Sequence, residues 1–245
     1  MRTIVEVCAN SVQDCIAAKK AGADRIELNN AVHMGGLTPS LATLILAKKE
    51  TDLPIIAMVR PRAGGFHYND IEIETMFLDA KYLLENGADG LAFGFLTEDA
   101  KVDYELTKRF VDLCHQYQAE AVFHRAFDQT VDPFKAIETL IDLKVDRILT
   151  SGQRSTAIEG VELLYELNSR YQKDIELCLG SGINDSNVKE LVNKTQVNQV
   201  HASFKDWKND PTTRSKFVDY SYHKDGDYEI SSFDKISKVV SILNE

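Results

Sequence analysis

Short apolar segments alternate with longer amphipathic segments through most of the chain. The apolar segments are rich in Val, Ile, Leu and Ala, and they recur at intervals typical of a repeated βα unit, so each is predicted to be a β-strand. The eight predicted strands lie near Thr3–Cys8, Arg25–Leu28, Pro54–Val59, Gly90–Gly94, Glu120–His124, Arg147–Thr150, Ile175–Leu179 and Gln199–Ala202.

The segments between these strands have the periodicity of amphipathic helices. The predicted helices are Val12–Lys20, Leu41–Lys49, Ile73–Glu85, Tyr104–Tyr117, Pro133–Leu143, Ala157–Arg170 and Asn187–Lys194. Strands that alternate with helices predict a parallel sheet with helices outside it. Eight units favour an α/β fold closed as a single (β/α)8 barrel of the TIM type. No G-x-G-x-x-G motif follows the first strand, which argues against a dinucleotide-binding fold.

Three helix-to-strand junctions share one pattern: Gly22-Ala23-Asp24-Arg25-Ile26, Gly87-Ala88-Asp89-Gly90-Leu91 and Lys144-Val145-Asp146-Arg147-Ile148. Gly favours the left-handed conformation that ends a helix, and Asp favours the short turn that follows. This repeat is therefore predicted to be structural and to lie at the amino end of the barrel.

The pattern becomes irregular after Ser203. Residues Trp207–Tyr228 are polar and rich in turn formers, and Ser232–Leu243 is predicted to be a final amphipathic helix. A chain of 245 residues has the typical length of one β/α barrel. One domain is predicted over residues 1–245, with the barrel core at 1–203 and the polar segment and C-terminal helix at 204–245.

The composition of the chain limits which molecules it is expected to bind and where it is expected to reside. The net charge of −10 argues against nucleic acid and against an anionic membrane surface, because both attract basic proteins. No apolar run is long enough to span a membrane, and Met1-Arg2-Thr3 leads straight into a strand without room for a signal peptide. The four cysteines form no C-x-x-C pair, which fits a cytoplasmic protein without disulfides. The oligomeric state, including a homo-oligomer, stays open.

Glu occupies the same place in three predicted strands: Val5-Glu6-Val7-Cys8, Ile26-Glu27-Leu28-Asn29 and Ile175-Glu176-Leu177-Cys178. Each Glu shares a strand face with the residue two positions later, so these carboxylates are expected inside the barrel. A lone buried charge is costly, and Arg60 is the expected partner, with Arg125 or a histidine as the alternative. A structural ion network competes with a functional role for Glu6 and Glu176, whereas Glu27 is the better functional candidate.

Two histidines end predicted strands, where the working residues of a barrel lie. His124 opens the cluster His124-Arg125-Ala126-Phe127-Asp128, which offers a proton shuttle, an anion clamp and an orienting carboxylate. His201 ends another strand. The candidate catalytic residues are therefore Glu27, His124, Asp128 and His201.

An anion site is predicted at the same end of the barrel. The Gly-rich turn after the seventh strand exposes backbone N–H groups, and barrels often bind phosphate at the loops after strands seven and eight. A similar turn, Thr150-Ser151-Gly152-Gln153, follows strand six. The candidate anion-binding residues are Arg60, Arg62, Arg125, Ser151, Gly180, Ser181 and Gly182.

Metal binding is an alternative use of the same strand ends. Cys8, Met58 and Cys178 offer sulfur to a soft ion such as Cu(I). Glu27, His124 and His201 suit a harder divalent ion instead. The residues leave these alternatives open.

Ordered motifs over about Met1 to Ser203 resemble the CutC family. They are Glu6-Val7-Cys8 with Ser11, Gly22–Leu28, Gly35–Ser40, Val59–Arg62, Phe123–Asp128, Arg147–Gln153, Gly180–Ile183 and His201–Ser203. The resemblance implies a cytoplasmic β/α barrel with a role in copper homeostasis and proposed Cu(I) binding. One copper site proposed in the family uses two cysteines; Cys8 matches the first, but Asn29 occupies the second position and supplies no thiolate.

Two functions follow from these observations. The resemblance implies a copper-binding homeostasis protein with Cys8 as a ligand. The residues at the strand ends fit better an enzyme that acts by acid–base chemistry on a small anionic molecule, such as a phosphorylated one. The sequence names no reaction, and whether the chain is an enzyme stays open.

Overall fold

Eight parallel strands close into a barrel in the computed structural model, which describes residues 2–244. The strands are β1 Ile4–Ala9, β2 Arg25–Leu28, β3 Ile55–Met58, β4 Gly90–Phe93, β5 Glu120–Phe123, β6 Arg147–Thr150, β7 Glu176–Gly180 and β8 Gln199–Ala202. Neighbours in sequence are neighbours in the sheet, and β8 pairs with β1 to complete the ring. The predicted (β/α)8 barrel is confirmed.

Helices cover the outside of the barrel. They are α1 Val12–Lys20, α2 Leu41–Glu50, α3 Asp70–Glu85, α4 Tyr104–Gln116, α5 Pro133–Asp142, α6 Val161–Tyr171, α7 Val188–Thr195 and α8 Phe233–Asn244, with short 3-10 turns at Val32–Met34 and Arg125–Gln129. Side-chain caps fix several helix starts, as where Asn69 and Glu72 form a reciprocal capping box at α3. Within residues 2–244, none of the helices is long and apolar enough to cross a membrane.

The repeated Asp of the helix-to-strand junctions has a common structural role. The side chains of Asp24, Asp89 and Asp146 accept hydrogen bonds from the backbone N–H groups of Val5, Ile55 and Ala121, at 2.9, 2.7 and 2.8 Å. Each bond ties a junction to the start of the preceding strand. The repeat therefore holds adjacent strands in register at the amino end of the barrel.

A short antiparallel ladder follows the barrel. Strand β9 Lys205–Lys208 pairs with β10 Tyr228–Ser231 in the segment predicted to be polar and turn-rich. The sequence pattern did not predict this ladder, because neither strand has an apolar run or a buried face of its own. Helix α8, which was predicted, follows β10 and packs against α1 and α7.

Charged and polar side chains fill the amino-terminal part of the barrel interior. Glu6 forms ion pairs with Arg25 and with Arg147 Nη2, the latter at 3.3 Å. Both arginines donate to Gln199 Oε1, at 2.7 and 3.1 Å. Arg147 has no exposed surface and also donates to Glu120 at 3.2 Å. These residues, Glu6, Arg25, Arg147, Gln199 and Glu120, are called the interior network below.

We expect Arg147→Met to lower the free energy of unfolding by about 3–5 kcal/mol, because it removes a fully buried cation that pairs with both Glu6 and Glu120. The matched control Arg214→Met removes an exposed ion pair with Asp219 and should cost about 0–1 kcal/mol. Urea denaturation at neutral pH measures both. Equal losses in the two variants would contradict this view of the interior network.

Candidate functional site at the barrel mouth

A cavity of about 610 Å³ opens at the carboxyl ends of the strands. Its walls combine predicted site residues with apolar side chains from the strands, the loops and α8. The lining includes Cys8, Glu27, Asn29, Gly35, Gly36, Met58, Arg60, Phe66, His124, Arg125, Ser181, Gly182, His201, Lys205 and Lys235. Four of the predicted site residues, Arg62, Asp128, Ser151 and Gly180, do not line it.

One wall carries a thiol, a carboxylate and an imidazole. Ligand atoms of Cys8, Glu27 and His201 all lie within 4.8 Å of one another. The Asn29 amide donates to Cys8 Sγ at 3.3 Å and to Glu27 Oε1 at 3.0 Å. Parallel pairing places Cys8 opposite Glu27, and Glu6 opposite His201. The sheet register therefore assembles this wall, which is called the acid wall below.

The interior network holds the imidazole of the acid wall. His201 Nδ1 lies 2.8 Å from Glu6 Oε1 and 3.4 Å from Glu27 Oε2. Burial opposes a charge on this ring, but Glu27, Cys8 and Glu6 together outweigh burial and raise the pKa of His201 well above its ordinary value. Burial likewise opposes the charge of Glu6, but Arg25 and His201 lower the pKa of Glu6 to about 2. His201 is therefore an imidazolium at neutral pH.

The pKa values of the other two acids of this wall are raised, because burial dominates there. Burial raises the pKa of Glu27, although His201 acts in the opposite direction. Burial also raises the pKa of the Cys8 thiol. A carboxyl group with a raised pKa beside an imidazole forms an acid–base pair that can give and take a proton.

Arg60 lies on the facing wall and differs from its predicted role. Its Nη1 donates to the carbonyl oxygens of Gly35 and Gly36, both at 3.2 Å, and Nη2 donates to Gly64. Its guanidinium stacks on the Phe66 ring at 5.0 Å. Within residues 2–244, no carboxylate lies within 4.0 Å of its side-chain nitrogens. The prediction that Arg60 neutralises the strand carboxylates was wrong, because Arg25 and Arg147 pair with Glu6 instead. The alternative partner, a histidine, is present as His201.

His124 lies beside Arg60 on the same wall. Its ring packs against Phe66 at 4.9 Å, and its Nδ1 accepts the backbone N–H of Ala126 at 3.1 Å. The ring passes over the end of β4 at Gly94, where an added Cβ would lie 2.6 Å from His124 Cε1. Burial, then the charges of Arg60 and Arg125, lower the pKa of His124 to about 3. His124 is therefore neutral, unlike His201.

Asp128 does not orient His124. It accepts from Arg125 Nε at 2.9 Å, from the Thr150 hydroxyl at 2.6 Å and from the Ser151 hydroxyl at 2.9 Å. Gln153 N adds a further bond at 3.1 Å. The structure thus makes Asp128 and Ser151 the support for Arg125, which itself lines the cavity. Their predicted catalytic and anion-binding roles would have to act through Arg125.

The other predicted anion residues separate into two groups. Ser181 and Gly182 line the cavity, whereas Gly180 is buried against Leu149 beneath it. The turn does not open a helix directly, since α7 begins at Val188. Arg62 faces away from the cavity and forms an ion pair with Glu72 on α3.

Glu176 and Cys178 also lie away from the mouth. Glu176 begins β7 at the opposite end of the barrel, where it accepts from Gln199 Nε2 at 2.6 Å. Cys178 is fully buried and does not line the cavity. Cys8 is therefore the one thiol of the described residues that lines the cavity, although all four cysteines carry free thiols.

Sequence reasoning missed several lining residues. Phe66 lies in a loop beyond β3, and Lys205 and Lys235 come from the segment after the barrel. Lys205 pairs with Glu229 at 3.1 Å, and Lys235 pairs with Asp206 at 3.5 Å. Nothing in the strand pattern marks these residues, because they reach the cavity through the β9–β10 ladder and α8.

A metal ion is one ligand that the acid wall suits. A thiolate and an imidazole are copper ligands, and the thioether of Met58 lines the same cavity. Glu6 holds His201 Nδ1, which leaves Nε2 for a metal, as in carboxylate–histidine–metal arrangements. Asn29 Oδ1 is buried without a hydrogen-bond partner. These donors fit a mixed sulfur, nitrogen and oxygen site, not a two-thiolate site.

Comparison with known proteins adds a family. The model of the CutC family matches residues 3–206. A protein of Treponema denticola named "family protein CutC" is 42% identical over 243 residues, or 98% of each chain. The copper homeostasis protein cutC homolog of Homo sapiens is 40% identical over 82% of this chain and 72% of its own. The CutC structure from Streptococcus agalactiae has a TM-score of 0.77 at 30% identity, over 82% of this chain and 98% of that one.

The neutral state of His124 predicts a pH dependence of stability. Its pKa falls from 6.5 in the unfolded chain to about 3 in the folded protein. The contribution of His124 to the free energy of unfolding is therefore complete above pH 6.5 and is lost as the pH falls towards 3. When the pH is lowered from about 7.5 to about 5, the free energy of unfolding should fall by about 2 kcal/mol more in the wild-type protein than in His124→Asn. Asn can still accept the Ala126 N–H but does not titrate. Urea denaturation at both pH values tests this; parallel losses would contradict a neutral His124.

Proposed function

The chain belongs to the CutC family, and from that premise we propose that its barrel mouth binds a small anionic molecule and transfers a proton on it. Arg60 is the anion-binding cation, and Glu27 with His201 is the proton-transfer pair. The lining of one cavity by both groups supports this assignment.

The state of Arg60 is the observation that carries the proposal. Its side chain is 6% exposed, yet its partners are carbonyl oxygens and an aromatic face, not a carboxylate. Burying a cation without a counter-anion costs free energy, and an anionic ligand would recover it. Arg125, Lys205 and Lys235 add positive charge to the same lining, although each pairs with an acid.

The proton-transfer role is supported by the different partners and opposite pKa shifts of Glu6 and Glu27. Glu6 is fixed as an anion by two arginines, whereas Glu27 meets Asn29 and His201 and has a raised pKa. A carboxyl group of this kind can act as general base and acid within one cycle. Glu6 holds His201 in place and does not line the cavity itself.

Anion binding is tested by thermal unfolding in inorganic phosphate and in malonate at neutral pH. We expect at least one anion to stabilise the wild-type protein, by about 2.7 kcal/mol at a hundred times its Kd. Arg60→Met should abolish the stabilisation. The control Arg62→Met removes an arginine that points away from the cavity and should respond like the wild type. Stabilisation that is equal in Arg60→Met would contradict the proposal.

A copper ion is the second candidate ligand, and it connects the site to copper homeostasis, the role named for the relative in Homo sapiens. The close approach of Cys8, Glu27 and His201 favours it. Cys8 would lose its thiol proton and the His201 imidazolium its Nε2 proton when these two residues hold copper. We place the protein in the cytoplasm, where a reducing environment would keep Cys8 available.

Copper binding is tested by titrating reduced protein with Cu(I) in the presence of a competing chelator. We expect Cys8→Ser to lose at least tenfold in affinity, since one thiolate is the principal soft ligand. Cys178→Ser is the control, because that thiol is buried in β7 outside the cavity. Asn29→Cys would supply the second thiolate and should tighten binding. Unchanged affinity in Cys8→Ser would remove the copper role.

A further inference from the structure

The cavity wall contains an imidazole N–H without an acceptor. His124 Nδ1 accepts the Ala126 N–H, so the neutral ring carries its hydrogen on Nε2. Within the described residues, Nε2 has no hydrogen-bond partner, and His124 is only 3% exposed. A buried donor left unpaired is unfavourable, and a ligand oxygen in the cavity would satisfy it.

A cation lies beside this N–H. Arg60 and His124 both pack on the Phe66 ring, with separations of 5.0 and 4.9 Å from its centroid. Arg60 Nε is also buried without a partner. The pair thus offers a fixed positive charge and a neutral donor to two oxygen atoms of one molecule. An anionic oxygen suits Arg60, and a carbonyl oxygen suits His124.

A chain of contacts through the Gly35–Gly36 turn connects this pair to Glu27. Arg60 donates to both carbonyl oxygens of the turn, and the other side of Gly36 closely approaches Asn29. Asn29 in turn donates to Glu27 Oε1 at 3.0 Å. Base, cation and neutral donor therefore line one cavity through a continuous set of contacts. This combination is the one that enolising enzymes use.

Resting on the proposed function, we infer that the ligand is a small carbonyl compound bearing an anionic group, and that the site removes a proton from the carbon beside the carbonyl. The Glu27 carboxylate takes the proton, so the C–H bond breaks and an O–H bond forms on Glu27. The electron pair moves to the carbonyl oxygen and gives an enolate. His124 Nε2–H stabilises that oxygen while Arg60 holds the anionic group, and the reverse step returns the proton. No oxidant or further reactant is needed.

Hydrogen exchange in D2O tests this step without knowledge of the complete reaction. The wild-type protein is incubated with 2-oxobutyrate, whose anionic group is a carboxylate, or with dihydroxyacetone phosphate. We expect the ¹H signal of the carbon beside the carbonyl to disappear at least tenfold faster than without protein for one of them. Hydrogen exchange in 2-oxobutyrate would identify the anionic group of the ligand as a carboxylate, and exchange in dihydroxyacetone phosphate would identify it as a phosphate.

Two substitutions of His124 distinguish loss of its Nε2–H donor from damage to the fold. His124→Asn keeps an acceptor for Ala126 but has no group at Nε2, so exchange should fall about 100-fold or more. His124→Gln places an amide donor at that distance and should restore part of the rate. His115→Asn, on α4 beside Asp146, should leave the rate unchanged. Exchange at the wild-type rate in His124→Asn would overturn the role of His124.

The remaining outcomes distinguish this inference from the proposed function. Arg60-dependent stabilisation by phosphate or malonate, with no exchange of either carbonyl compound, would overturn the enolisation and leave anion binding intact. If the His124 variants do not fold, the Nε2–H resonance of the wild-type protein is followed instead. It should shift when the exchanging compound is added, and an unchanged resonance would overturn the inference.

Discussion

A carboxylate buried inside the barrel is the constraint on which the site depends. Glu6 is 2% exposed, and water contributes almost nothing to its solvation. Arg25, Arg147 and His201 replace that solvation, each from a different strand. Because a buried charge that loses a partner costs several kcal/mol, these strands must close in one register. The arrangement that stabilises the interior therefore also fixes the imidazole at the mouth.

The two histidines of the mouth acquire opposite properties from their surroundings. His201 lies beside two carboxylates and is a positively charged imidazolium. His124 lies near the positive charges of two arginines and is a neutral imidazole. The same residue type thus supplies an imidazolium on the acid wall and a neutral N–H donor on the facing wall. Separated charge states of this kind allow one small cavity to hold an anion and move a proton.

Much of the fold was predictable because it depends on local pattern. The bounds of β2, β6 and β8 follow directly from their apolar runs, and the repeated Asp of the junctions was correctly assigned a structural role. The β9–β10 ladder was not predictable, since its strands lack a buried apolar face. It matters to the site because it leads the chain back to α8 and brings Lys205 and Lys235 to the cavity.

The sequence predicted the end of the barrel at which the site lies, but not which of its side chains contact one another. Position at a strand end identified Cys8, Glu27, Arg60, His124 and His201, and all of them line the cavity. Strand-end position does not reveal which residues meet, so the expected pairing of Arg60 with the strand carboxylates was wrong. Asp128 was likewise expected to serve His124, but it accepts from Arg125.

The sequence by itself determined the alternation of strands and helices and the carboxyl-end position of Cys8, Glu27, Arg60, His124 and His201, because both follow from periodicities that each segment carries alone. Only the tertiary structure decided the partners: Glu6 with His201 across 195 positions, and Arg60 with backbone carbonyls instead of an acid. Charge state depends on those partners and on burial, which exist only after the barrel has closed.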